Sequence, residues 1–119
     1  MIDNVPDKWV VIRIARKDTP PIHKVFASWY GGYLGSDSWK LNSGIVRVYN
    51  EGNAYSFEGY SGSIYKCHKE FYGSNMYGYG VLETMIERAK QNEVSIEILP
   101  EDTDFLHLDF DFYDNKDKI

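Results

Sequence analysis

Through most of the first hundred residues, apolar side chains either alternate with polar ones or crowd both parities, and that rhythm predicts strands. Lys8 to Arg16 (KWVVIRIAR) is β-branched on both parities, as expected of a strand buried on much of both faces. Asp18-Thr19-Pro20-Pro21 reads as a turn, because paired prolines remove two donors and fix φ. His23 to Tyr30 then places Val25, Ala27 and Trp29 on one face and pairs with the first strand as a hairpin. A short strand is expected at Trp39 to Leu41. Ile45 to Tyr49 and Ala54 to Glu58 flank Asn50-Glu51-Gly52-Asn53, the clearest hairpin signal in the chain. Ser63 to His68 adds another strand after the turn Tyr60-Ser61-Gly62.

The period then changes. Residues 69–80 (KEFYGSNMYGYG) read as a Gly/Tyr-rich loop, after which Val81, Leu82, Met85, Ile86 and Ala89 recur at helical spacing with Glu83, Glu87, Arg88 and Lys90 outward. Val94 to Leu99 alternates and reads as a strand that Pro100 ends. Phe105 to Tyr113 puts Leu106, Leu108, Phe110 and Phe112 on one face and His107, Asp109 and Asp111 on the other, predicting a half-buried strand with an acidic outer side. The expected fold class is therefore α+β: a curved, mostly antiparallel sheet or partial barrel with one α-helix packed on it. No internal repeat divides the chain, so residues 1–119 are read as one domain with flexible ends at 1–7 and 114–119.

Charge and composition narrow the function classes. Thirteen Lys and Arg against eighteen Asp and Glu give −5, whereas a general nucleic-acid surface needs a basic excess, so direct DNA binding is not expected. A lone Cys67 cannot form an internal disulfide and fits a reducing compartment. No basic lead followed by an apolar run opens the chain, and no stretch approaches the roughly 20 apolar residues of a spanning helix. The expectation is a cytoplasmic protein away from membranes. Aromatics make up 16% of the chain, ten of them tyrosines, a residue that offers apolar area and a hydroxyl together at recognition surfaces.

Several constellations invite a chemical reading. His107-x-Asp109-x-Asp111 places three ligand types on one strand face, but same-face neighbours lie roughly 7 Å apart, and solvated edge charges that block sheet pairing explain them as well; no metal and no cofactor are expected. Cys67 and His68 are adjacent on a strand and point to opposite faces, so they form no dyad. Gly59-Tyr60-Ser61-Gly62-Ser63 lacks the glycine spacing and following helix of a nucleophile elbow. The densest concentration is Ser28 to Gly44, with two tryptophans, two tyrosines and four glycines. It lacks the Gly-Lys-Ser/Thr of a phosphate loop. Stacking by Trp29, Tyr30, Tyr33 and Trp39, phosphate contacts from Lys40 and Arg47, and polar readout by Asp37 and Asn42 would suit a nucleotide-like ligand. Equally, these aromatics would serve as core and the polar groups as turn caps. Tyr72, Tyr77 and Tyr79 of the second loop would form an opposing wall of the same site or cap the sheet.

Along WYGGYLGSDSWKLNSGI and the later YSFEGYSGSIYKCHK, within residues 8–80, the chain resembles small uncharacterised proteins encoded by tailed bacteriophages. The resemblance carries over no catalytic residue. It implies a protein made in a host cytosol, where small phage proteins bind and disable a host enzyme or sequester a nucleotide signal used in defence. Three functions follow as expectations: a non-enzymatic binder of a nucleotide-like molecule, an acidic inhibitor docking Asp109 and Asp111 on a basic host protein, and a hydrolase using His107 with Asp109 or Asp111. An open sheet edge would also allow a homodimer through strand pairing.

Overall fold

A computed structural model describes residues 4–31 and 35–108. Seven strands, two 3-10 turns and one helix follow one another: β1 (Lys8–Arg16), β2 (Thr19–Trp29), β3 (Ser38–Leu41), β4 (Ile45–Asn50), β5 (Ala54–Gly59), β6 (Ile64–His68), a 3-10 turn (Lys69–Phe71), α1 (Met76–Gln91), β7 (Val94–Ile98) and a second 3-10 turn (Phe105–His107). The fold is α+β. Two separate antiparallel sheets, ordered β3-β2-β1-β7 and β4-β5-β6, replace the single curved sheet or partial barrel of the sequence reading. The described strands form no closed barrel.

The layers explain why β1 is apolar on both parities. Trp9 and Val11 face the three-stranded sheet, joining Val25, Ala27, Ile45, Phe57, Tyr65, Cys67 and Phe105 in one core. Val10 and Ile12 face α1, where they meet Phe26 and Leu82 in a second. The four-stranded sheet is thus the middle of three layers, and its central strands are apolar at Trp9–Ile12 and Val25–Ala27, where both faces are covered. Trp9 is the hub of the inter-sheet core. Its ring meets Tyr72 at 4.7 Å nearly perpendicular, and Phe57 and Phe105 at 5.5 and 5.6 Å, while its indole N–H donates to the carbonyl of His68 at 2.7 Å.

Three local expectations are corrected. Pro20 and Pro21 lie inside β2, and the β1–β2 turn is Lys17-Asp18. The register slips between Ile14↔Ile22 and Arg16↔Thr19, so both prolines fall in a bulge where ladder donors are not required. The helix begins at Met76 rather than Val81. Asn75 caps it, accepting from the Gly78 amide at 2.7 Å, and a Cβ at buried Gly78 would collide with the Ser74 hydroxyl. Finally, Phe105 to His107 is a 3-10 turn and not the start of a strand; Phe105 inserts into the inter-sheet core while Leu106 stays exposed. The remainder of that expected strand, residues 109–113, lies outside the described residues.

Tyr72 stitches the middle layer to its edge. Its hydroxyl donates to the Leu99 carbonyl at 2.5 Å and accepts from the Val11 amide at 3.2 Å, extending the β1–β7 pairing. Burial is the main cause that raises this phenol from 10.0 to about 12; the Val11 hydrogen bond opposes it, and the charges of Tyr79 and Glu101 add to it. Cys67 is fully buried in the same core, and burial pushes its thiol well above the usual range, which disfavours the reactive thiolate.

Candidate functional site

The Gly-rich stretch joins β2 to β3 at one end of the middle sheet. A Cβ at Gly31 would strike the backbone of Gly35 and Ser36, and one at Gly35 would strike the Gly31 carbonyl, so the loop's two ends close on each other through bare backbone. Asp37 fastens that closure. Its Oδ1 accepts from the Gly31 amide at 2.9 Å, and its Oδ2 accepts from the Asn75 side-chain amide at 3.0 Å. Since Asn75 also caps α1, the Gly-rich loop and the helix N-terminus are locked by one chain of hydrogen bonds. The two Gly/Tyr-rich segments of the sequence therefore meet in space, at Asp37 and Asn75.

Residues 4–7, read above as part of the lead, run alongside. The Asn4 amide donates to the Ile64 carbonyl at 3.1 Å and its carbonyl accepts from Lys66 at 2.9 Å, placing Asn4 against β6. The Val5 carbonyl accepts from the Trp29 indole at 3.0 Å, and Asp7 accepts from the Tyr30 amide at 2.8 Å. Between this strap and the β2–β3 edge lies an open depression of about 320 Å3 lined by Asn4, Val5, Trp29, Ser38, Trp39 and Lys40.

The geometry separates the expected site residues. Trp29, Trp39 and Lys40 share the depression, whereas Tyr30, next to Trp29 in the chain, is exposed and does not line it. The two indoles do not face one another. Trp39 pairs with Ser28 in the ladder and stacks on Phe26 at 5.4 Å and 18° on the helix side, whereas Trp29 packs against the inter-sheet core. Lys40 extends on the Trp29 side, exposed; the one ion pair among the described residues is His107 with Asp104, so the Lys40 ammonium is unpaired there. Asp37 is committed to the loop closure. Asn42 is buried, with its Oδ1 accepting from the Val25 amide at 2.9 Å and its own amide donating to the Val25 carbonyl at 3.1 Å, so it continues the β2–β3 ladder with a side chain. Arg47 stands exposed on the other sheet, opposite Glu58, and does not line the depression. Tyr33 lies outside the described residues. Ser38, within the Gly-rich stretch, also lines the depression; Asn4 and Val5 were missed by the sequence reading, because nothing local marks a lead segment that folds back on a distant strand.

The other chemical candidates separate as well. His107 meets Asp104 at 2.6 Å on an exposed 3-10 turn; their side chains are 80% and 64% exposed, so the pair does not line a cleft of the kind acid–base chemistry needs. Asp109 and Asp111 lie outside the described residues, and among those described no three His, Cys, Asp or Glu side chains gather to hold a metal. Tyr72 belongs to the core, while Tyr77 and Tyr79 are exposed on the first turns of α1. No helix among the described residues is long and apolar enough to cross a membrane. The chain matches no model of a known protein family, no curated protein and no solved structure, so the site's chemistry is argued from its own geometry.

Proposed function

We propose that this is a non-enzymatic binding protein that holds a nucleotide-like anion in the depression beside the β2–β3 edge. One observation carries the reading: the half-buried Trp29 indole and the unpaired Lys40 ammonium line the same depression. Its size, about 320 Å3, falls at the small end of ligand sites. An aromatic flank with a cation at its rim suits a base and its phosphate, with Ser38 offering a hydroxyl and Tyr30 an exposed ring. The hydrogen bond from the Gly31 amide to Asp37 would help pre-organise this edge and so lower the ordering cost of binding. The resemblance to tailed-phage proteins supports a host setting in which sequestering a nucleotide signal counters defence.

Titrating mononucleotides and cyclic dinucleotides while following tryptophan fluorescence and thermal unfolding tests this directly. Quenching and a raised Tm are expected, with Lys40→Ala weakening affinity by about tenfold through loss of one charge-assisted contact. Absence of both signals at millimolar ligand across the panel overturns the proposal.

A further inference from the structure

The opposite end of the middle sheet carries a concentration of positive charge that the net −5 of the chain conceals. Arg16 and Lys17 sit at the β1–β2 turn, and Arg88 and Lys90 occupy the last turn of α1. All four are exposed, and none forms an ion pair with a described residue. They border two adjoining cavities of about 850 and 600 Å3 that share Arg16, Lys17, Glu93, Val94 and Ile96. The carboxylates at these cavities are Asp18 and Glu93, so cations outnumber them two to one.

The floor is apolar. Ile14, Met85, Ala89 and Ile96 line the larger cavity and are half-buried, and Ile14, Met85 and Ile96 continue the Val10–Ile12–Leu82 core. Basic residues in a last helical turn ordinarily serve the helix's own carbonyls. Here those carbonyls are otherwise occupied: the Asn92 backbone amide donates to the Ala89 carbonyl at 2.9 Å, the Glu93 amide to that of Lys90 at 3.2 Å, and the Asn92 side chain to that of Arg88 at 2.9 Å. The helix then reverses into β7 through Glu93 at φ 60°, a backbone region disfavoured for any residue but glycine, which brings the end of α1 beside the β1–β2 turn. An unfinished apolar floor rimmed by uncommitted cations fits one ligand type.

We propose that this trough binds an amphipathic organic anion, its carboxylate or phosphate monoester head among Arg16, Lys17 and Arg88 and its apolar body over Ile14, Met85 and Ile96. The site is independent of the depression at Trp29 and Lys40. Octanoate, octyl phosphate and inorganic phosphate, each titrated against methyl-labelled protein, separate the two contributions and the two head groups. Saturable shifts of the Ile14, Met85 and Ile96 methyls are expected with at least one amphiphile, whose affinity exceeds that of inorganic phosphate by about tenfold or more. The stronger of the two amphiphiles identifies the head. Arg16→Gln with Arg88→Gln, both at exposed positions, should weaken binding by at least about tenfold, while Lys40→Ala leaves it unchanged. The proposal is overturned if neither amphiphile gives saturable shifts, if inorganic phosphate binds as tightly, or if the double variant binds like the parent.

Discussion

The middle sheet is covered twice, and its two covers are built differently. Toward the three-stranded sheet, Trp9, Phe57, Tyr72 and Phe105 interlock ring against ring, and Phe105 arrives from a 3-10 turn to plug the gap. Toward α1 the contacts are chiefly aliphatic, with Trp39 stacked on Phe26 at one end and Ile14 and Ile96 only half covered at the other. A helix of 16 residues is about 24 Å long and roughly one side-chain diameter wide, so one helix cannot seal a four-stranded face. The aromatic cluster leaves only a small pocket of about 140 Å3, lined by Trp9, Tyr55, Lys69, Tyr72, Glu101 and Phe105, whereas the larger open volumes lie where the helix cover runs out.

Substitutions can break that contrast. Phe105→Ala should cost about 3–5 kcal/mol of stability, since it opens a cavity in rigid aromatic packing, whereas Ile14→Ala at the unfinished floor should cost under about 1 kcal/mol. Urea unfolding of the two variants gives the comparison; equal losses would mean that both faces are equally packed. Asn75→Ala comes next, at about 1 kcal/mol for the lost helix cap. Because Asn75 also holds Asp37, the Gly31 amide should exchange faster with solvent in that variant, an effect confined to the Trp39 end of the helix face.

A dependence on pH sharpens the aromatic side. Tyr72 has a folded-state pKa of about 12 against an ordinary 10.0, so folding favours its protonated form. Its contribution is complete below about pH 10 and is lost as the pH rises toward 12. Between those values the unfolding midpoint of the parent should fall more steeply than that of Tyr72→Phe, which has no proton to lose. Parallel slopes would show that the Tyr72 hydroxyl is not protected by its place between Val11 and Leu99.

Strands were legible where burial imposes a period. Two-sided burial of KWVVIRIAR, the Asn50–Asn53 hairpin and the alternation of β7 follow from which neighbours must be dry. The exceptions have a common cause. Gly78 and Gly80 weaken local helix propensity, yet the Asn75 cap fixes the first turn from outside it. Alternation after Phe105 loses to the aromatic gap that Phe105 fills. For the candidate site at Trp29, residue types grouped Trp29, Trp39 and Lys40 in one stretch but could not say which face each side chain would take. Asn42 was unreadable as a ladder group because an amide side chain bonds a ligand or a strand with the same atoms.

The Asn4–Asp7 strap touches both sheets: Asn4 pairs with β6 and Asp7 with β2, and Val5 lies between them. Whatever lifts the strap uncovers an edge of the three-stranded sheet in the same motion that dismantles one wall of the Trp29 depression. Edge protection and the integrity of the depression thus draw on a single local opening event. A molecule seated against Val5 would slow solvent exchange at the Lys66 amide, on a strand it never touches, and would guard the chain against edge-to-edge association while bound.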